Sequence, residues 1–339
     1  RSAARRRLRR AKALRPRLTV LVDARAAGPG DLDRTLESVR AEPAADLEIL
    51  VAGITESAAG VFARHRDDWR VRPGRRPMAG LVLQVRAGDR LVPGGLAALR
   101  QAMEPGVTVV VGEVAGALGP TGRALPAAPV ENPDLVRLAV PAELGRALWR
   151  RPAWRSAVHP RTDTIGAPMW MDPSVSFLGG VARATRVVSV ATPVVRPRGR
   201  QPELFGAMVD PTPELPRWRV MQHESLRTLA GAASRLRHAW AVSTLAEAER
   251  FLDATERLDD AAWNDLRRLV TSVVGLLDEA ARPTLLQHLE VEARVKVRLA
   301  VEDRRADLER FVVDRRLENS QYPTEVVGES DPGVRALLP

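Results

Sequence analysis

Chemistry in this chain would fall to a few side chains placed where strand-like runs end. Arg25 follows the apolar run LTVLVDA, Arg86 and Asp89 frame the turn after LVLQVR, and Asp172 stands in MWMDPS. A carboxylate such as Asp172 can take the proton from an attacking hydroxyl. A guanidinium such as Arg25 or Arg86 can grip a diphosphate through parallel N–H donors. A hard divalent cation asks for several oxygen ligands, and the turn RAGD offers the single acid Asp89. Trp149, Trp154 and Trp170 cluster in one stretch. An indole face can stack on a sugar ring, although a tryptophan in a helix more often belongs to the core.

Other chemistries have little support. His65, His159, His223, His238 and His288 show no metal-ligand spacing such as H-E-x-x-H. His238 and His288 fall inside helical patterns, where structural roles are expected, and His223-Glu224-Ser225 fits the first turn of a helix. AAGPGD lacks both G-x-G-x-x-G and a following Lys-Ser/Thr, so its Gly and Pro read as a turn. The absence of cysteine excludes thiolate nucleophiles, disulfides and cysteine metal sites.

The elements that must position these residues follow from hydrophobic periodicity. LTVLVDA, DLEILVAG, GLVLQVRAG and GVTVVVGEVAG read as buried strands. Between them, GPGDLDRTLESVRAE repeats Leu32, Leu36 and Val39 at helical spacing with Asp31 as a cap. TESAAGVFARHRDDW and PGGLAALRQAM read as two further helices. Strands alternating with helices predict an α/β fold with a mostly parallel sheet and flanking helices. The stretch 117–135 reads as a surface loop, 141–157 as a short helix carrying Trp149 and Trp154, and RVVSVATPVVR as a strand. From about residue 206 the pattern becomes an all-α helical domain of four or five helices, with Leu266, Leu269, Val270, Val273 and Val274 as one apolar stripe. Asp259 and Asp260 mark a helix start, and Pro283 another. The expected organisation is a basic arm (1–17), an α/β domain (18–205), a helical domain (206–320) and an extended tail or linker (321–339).

The 339-residue chain has a formal net charge of +10. The arm RSAARRRLRRAKALRPR holds eight Arg, one Lys and no acid, and the remainder holds 43 basic against 42 acidic residues. A near-neutral body argues against nucleic acid as partner. The arm reads either as a solvated tail or as an attraction to anionic lipid. No apolar run is long enough to span a bilayer, so a cytoplasmic protein, peripheral at the inner face of the plasma membrane, is expected.

The order of these pieces resembles the inverting family 2 glycosyltransferases of GT-A fold, over roughly residues 18–200. LTVLVDA, LDRTLESVRAE and DLEILVAG are similar to that family's opening. AGDRLVPGGLAALRQAM resembles its metal turn with the helix behind it, ELGRALWRRPAW its acceptor-side helix, and WMDPSVSFLGGVARATRVVSVATPVV its Glu-Asp motif, helix and strand. The helical part and tail resemble the linker of actinobacterial proteins in which such a domain precedes a teichoic-acid-type polyol-phosphate transferase. The resemblance implies a nucleotide-sugar donor, Mg²⁺ or Mn²⁺ at a D-x-D turn, and an Asp as base.

The sequence departs from that pattern at each of these points. Gly53 and Ile54 stand where the family has two acids after the second strand. Arg86 and Gly88 stand at the D-x-D acids, with Asp89 matching only the acid that often follows, and Met171-Asp172 replaces Glu-Asp. Two readings follow. One is a degenerate glycosyltransferase-like scaffold or docking module without cofactor, whose helical domain supports self-association or contact with a protein partner. The other is an active transferase with Asp172 as base, Arg25, Arg86 and Asp89 on the donor, and Trp149, Trp154 and Trp170 towards the acceptor. Mg²⁺ or Mn²⁺ is expected only if this active reading holds, in which Arg86 can also stand in place of the metal. A third possibility is a plain nucleotide- or glycan-binding module.

Overall fold

The computed structural model describes residues 17–25, 28–43, 46–116, 119–121, 125, 128–139, 144–158, 173–197, 210–229 and 231–321. The chain opens with β1 (Leu18–Asp23), α1 (Pro29–Arg40), β2 (Leu47–Ala52), α2 (Glu56–His65), β3 (Val71–Pro73), β4 (Leu81–Arg86), β5 (Arg90–Leu91) and α3 (Gly95–Gln101). It continues through β6 (Val109–Gly116), β7 (Gly119–Thr121), β8 (Val130–Glu131), β9 (Ala147–Arg150), α4 (Arg151–Val158), α5 (Pro173–Arg183) and β10 (Val187–Arg196). Helices follow: α6 (Leu215–Leu229), α7 (Ser234–Leu252), α8 (Asp260–Val274), α9 (Arg282–Leu286), α10 (Val291–Val301) and α11 (Arg305–Gln321).

All the strands join one sheet, with the main path β3-β2-β1-β4-β9-β6-β10-β5. β3, β2, β1 and β4 pair in parallel, as do β6 and β10. β9 runs against both β4 and β6. Side chains alternate across the pleat. One face sends Val20, Val22, Ile49, Val51, Leu83 and Val85 into a core closed by Leu32, Leu36 and Val39 of α1 with Leu96 and Leu99 of α3.

The opposite face carries Leu21, Leu50, Val82, Val109, Val111 and Trp149 into a second core. Trp154 of α4 and Phe177 and Leu178 of α5 pack there, and the same cluster runs on into Trp240 and Leu245 of α7 and Leu266 and Val270 of α8. α5 lies against α7. The helical part is therefore docked on the sheet through a continuous apolar core.

Three local expectations need correction. Residues 141–157 do not form one helix. A 3-10 turn (Leu144–Arg146) leads into β9, and only then does α4 begin. Ala147, Leu148 and Trp149 fill a slot between two strands, and Pro152 sits at the helix start, where a missing N–H costs nothing. The stretch 117–135 contains β7 and β8 rather than loop alone. His223-Glu224-Ser225 lies in the interior of α6, where the Ser225 hydroxyl donates to the Met221 carbonyl at 2.9 Å.

The Pro-Gly-Gly before α3 has a steric reason. Gly94 adopts φ +81, and a Cβ on Gly95 would stand 2.7 Å from both the Pro193 carbonyl oxygen and the Val194 Cα of β10. Among the described residues no helix is long and apolar enough to cross a membrane.

Candidate functional site

In an open α/β sheet the ligand crevice lies outside the carboxyl ends of the strands, where the strand order reverses. Here that point falls between β1 and β4, since the chain moves from β1 to β2 and β3 on one side and returns to β4 on the other. Asp23 and Arg86 are register partners at these two strand ends, and Asp23 faces Ala52 on β2. The fold thus brings together Arg25, Arg86 and Asp89, the three side chains expected at a donor.

Arg25 does not reach outward. Its guanidinium doubles back on Asp23, with Nε 2.9 Å from Oδ1 and Nη2 2.5 Å from Oδ2. The Asp23 hydrogen bond holds the Arg25 guanidinium above its usual range against the opposing effect of burial. The stem of Arg25 covers Gly53, which has φ +68, and a Cβ there would fall 2.3 Å from Arg25 Cγ. The position after the second strand where the resemblance implies an acid is thus covered by the stem of Arg25, which follows the first strand.

The turn after β4 is equally committed. Asp89 is 7% exposed and its Oδ2 accepts the Arg86 backbone N–H at 3.0 Å. The Thr35 hydroxyl donates to the Asp89 carbonyl at 2.6 Å, while Gly88 N–H donates to Thr35 Oγ1 at 2.8 Å. These bonds fasten the turn to α1. Asp31, also at this edge, accepts from Gly28 N–H at 3.0 Å and from Arg34 at 2.7 Å, so it caps α1 from inside the first turn. Arg86 itself is exposed. Among the described residues no group of three or more His, Asp or Glu is placed to hold a metal ion.

The other expected site residues lie elsewhere. Trp149 is fully buried beside Val82 and Val109, edge-on to Phe177 at 6.3 Å between ring centroids. Trp154 is 3% exposed and its indole N–H donates to Gln84 Oε1 at 3.1 Å. Neither offers a free ring face for a sugar. Asp172 and Trp170 lie outside the described residues.

Sequence reasoning missed Asp23, whose partner two residues away was the available signal. It also missed the bridge made by His65. That ring contacts Asp33 at 2.6 Å and Arg40 at 3.0 Å, tying α2 to α1. The His65 hydrogen bond holds the Asp33 carboxyl below its usual range.

No protein-family model matches this sequence, and no curated protein matches it. Solved structures do. The chain superposes on S. aureus TarS, a teichoic-acid glycosyltransferase, with a TM-score of 0.52 at 11% identity. The match covers 88% of this chain and 55% of TarS, so the chain spans about half the length of that protein. Two structures of TarS 1-349, one of them in complex with UDP, match with TM-scores of 0.49 and 0.48 at 13% identity, covering 86% of this chain and 92% of theirs. At such identities the likeness is one of fold, and the fold is GT-A-like with an added helical part.

Proposed function

We propose that this chain is a catalytically degenerate glycosyltransferase-like module of a cell-envelope glycopolymer system of teichoic-acid type, acting as a scaffold or docking unit. The observation that carries the reading is the Asp23–Arg25 fork lying over Gly53. At the switch point of the sheet, Asp23 and Arg25, which would meet a nucleotide diphosphate, are spent on one another. Asp89 is spent on the backbone of its own turn. The helical part, sharing a core with the sheet, serves contact with a protein partner or a second copy. The basic arm holds the chain peripherally at an anionic membrane.

Calorimetry with a panel of nucleotide sugars at millimolar concentration, with and without Mn²⁺, tests the loss of function. No heat of binding is expected. Metal-dependent binding would overturn the reading in favour of an active transferase. Asp172→Asn would then abolish turnover while leaving the melting temperature unchanged.

A further inference from the structure

We propose that the amino edge of the sheet, opposite the crevice, is a docking face for an anionic lipid surface, with Met78 as its apolar contact. This rests on the peripheral placement proposed above and not on the loss of catalysis.

The face is assembled from three separate segments. Between β3 and β4, Pro77 and Ala79 are buried while Arg76, Met78 and Gly80 are exposed, the alternation of an extended strand. Met78 is 64% exposed, the highest value among the large apolar side chains described. Arg151, at the start of α4, donates its backbone N–H to the Gly80 carbonyl at 2.8 Å and its Nη1 to the Met78 carbonyl at 3.0 Å. Arg155 follows one turn later and is exposed on the side away from buried Trp154. Leu81 N–H donates to the Arg17 carbonyl at 3.1 Å, which sets Arg17 at the same edge.

Arg17 therefore stands at this face, and in sequence eight basic residues precede it. Among the described residues no carboxylate pairs with Arg17, Arg76, Arg151 or Arg155. Asp46, at the same edge, is engaged by Arg100 through bonds of 3.0 and 2.9 Å. The bordering carboxylate Glu104 lies 3.8 Å from Arg186.

Exposed arginines around an exposed apolar side chain suit a surface that is anionic outside and apolar beneath. Duplex nucleic acid would use the arginines and leave Met78 idle. Docked in this way, the chain turns its crevice away from the bilayer.

The test is co-sedimentation of the full chain with vesicles of phosphatidylcholine alone and of phosphatidylcholine mixed with phosphatidylglycerol. Binding is expected to the mixed vesicles and to fall as salt rises. Arg76→Gln with Arg155→Gln should lower partitioning ~25-fold, at about fivefold per arginine. Met78→Asp should lower it further and Met78→Leu should preserve it. Equal partitioning by variants that melt like the wild type would overturn the proposal. Changing Arg5, Arg6, Arg7, Arg9 and Arg10 together to Gln separates arm from face. If that change abolishes binding and the face variants never matter, the arm acts alone and the face does not. Competition by duplex DNA, with Met78→Asp silent, would replace lipid by nucleic acid.

Discussion

At the scale of single residues, the switch point is shaped by Gly53 and its neighbour together. Gly53 carries no side chain, and the space beside it is occupied by the stem of Arg25, which turns to meet Asp23. Placing an acid there by Gly53→Asp meets two obstacles. The backbone sits at φ +68, where a side chain is strained, and the new Cβ would fall 2.3 Å from Arg25 Cγ. The expected result is a loss of about 1–3 kcal/mol in urea unfolding, with no gain in nucleotide-sugar binding. Since the blocking atom belongs to a flexible side chain, adding Arg25→Ala should recover part of the loss. If Gly53→Asp alone unfolded like the wild type, the Arg25 stem would not be the filler described.

At the scale of elements, periodicity reads well where a segment meets solvent on one side. Leu32, Leu36 and Val39 on α1 are wholly buried, as is the Leu266–Val274 stripe apart from residual exposure of Val274. It reads poorly where a segment is short and enclosed. Ala147-Leu148-Trp149-Arg150 carries no alternation, and only its place between β4 and β6 makes it a strand. The commitment of Asp89 was likewise invisible, because its partner is a backbone N–H set by the turn.

The tie between α7 and α10 was equally hidden. Lys296 is 4% exposed, with Nζ 2.8 Å from both Glu249 and Asp253 and 3.9 Å from Glu292. Burial pulls the ammonium down, but Asp253 and Glu249 outweigh it and hold its pKa above 10.5. A folded-state value above the unfolded one gives stability that is complete below the unfolded pKa and is lost as pH rises through the folded one. Lys296→Met should therefore cost about 2–3 kcal/mol near neutral pH, a cost moderated by the partial exposure of the acids. The gap from the wild type should close as the solution is taken above 10.5. Urea melts of both proteins across that range would show it, and a constant gap would mean that packing rather than charge is lost.

At the scale of the whole molecule, the sequence suggests two parts in series, because the change from alternating strands to helices near residue 206 is abrupt. The contact between them is not legible, since it joins α5 to α7 and Trp149 to the cluster of Trp240 across distant parts of the chain. The apolar surface in that contact cannot be exposed without cost, at roughly 25 cal/mol per Å². The two parts should thus unfold together, giving one calorimetric transition for the full chain. Trp240→Ala, a fully buried site on the helical side, should cost about 3–5 kcal/mol. Hydrogen exchange should then show protection falling in β1 and β2 as well as in α8. Two resolved transitions, or a loss confined to α6–α11, would mean that the helical part rests on the sheet without sharing its stability. A partner could then detach it from the sheet, whereas with one shared core any partner must bind the assembled surface.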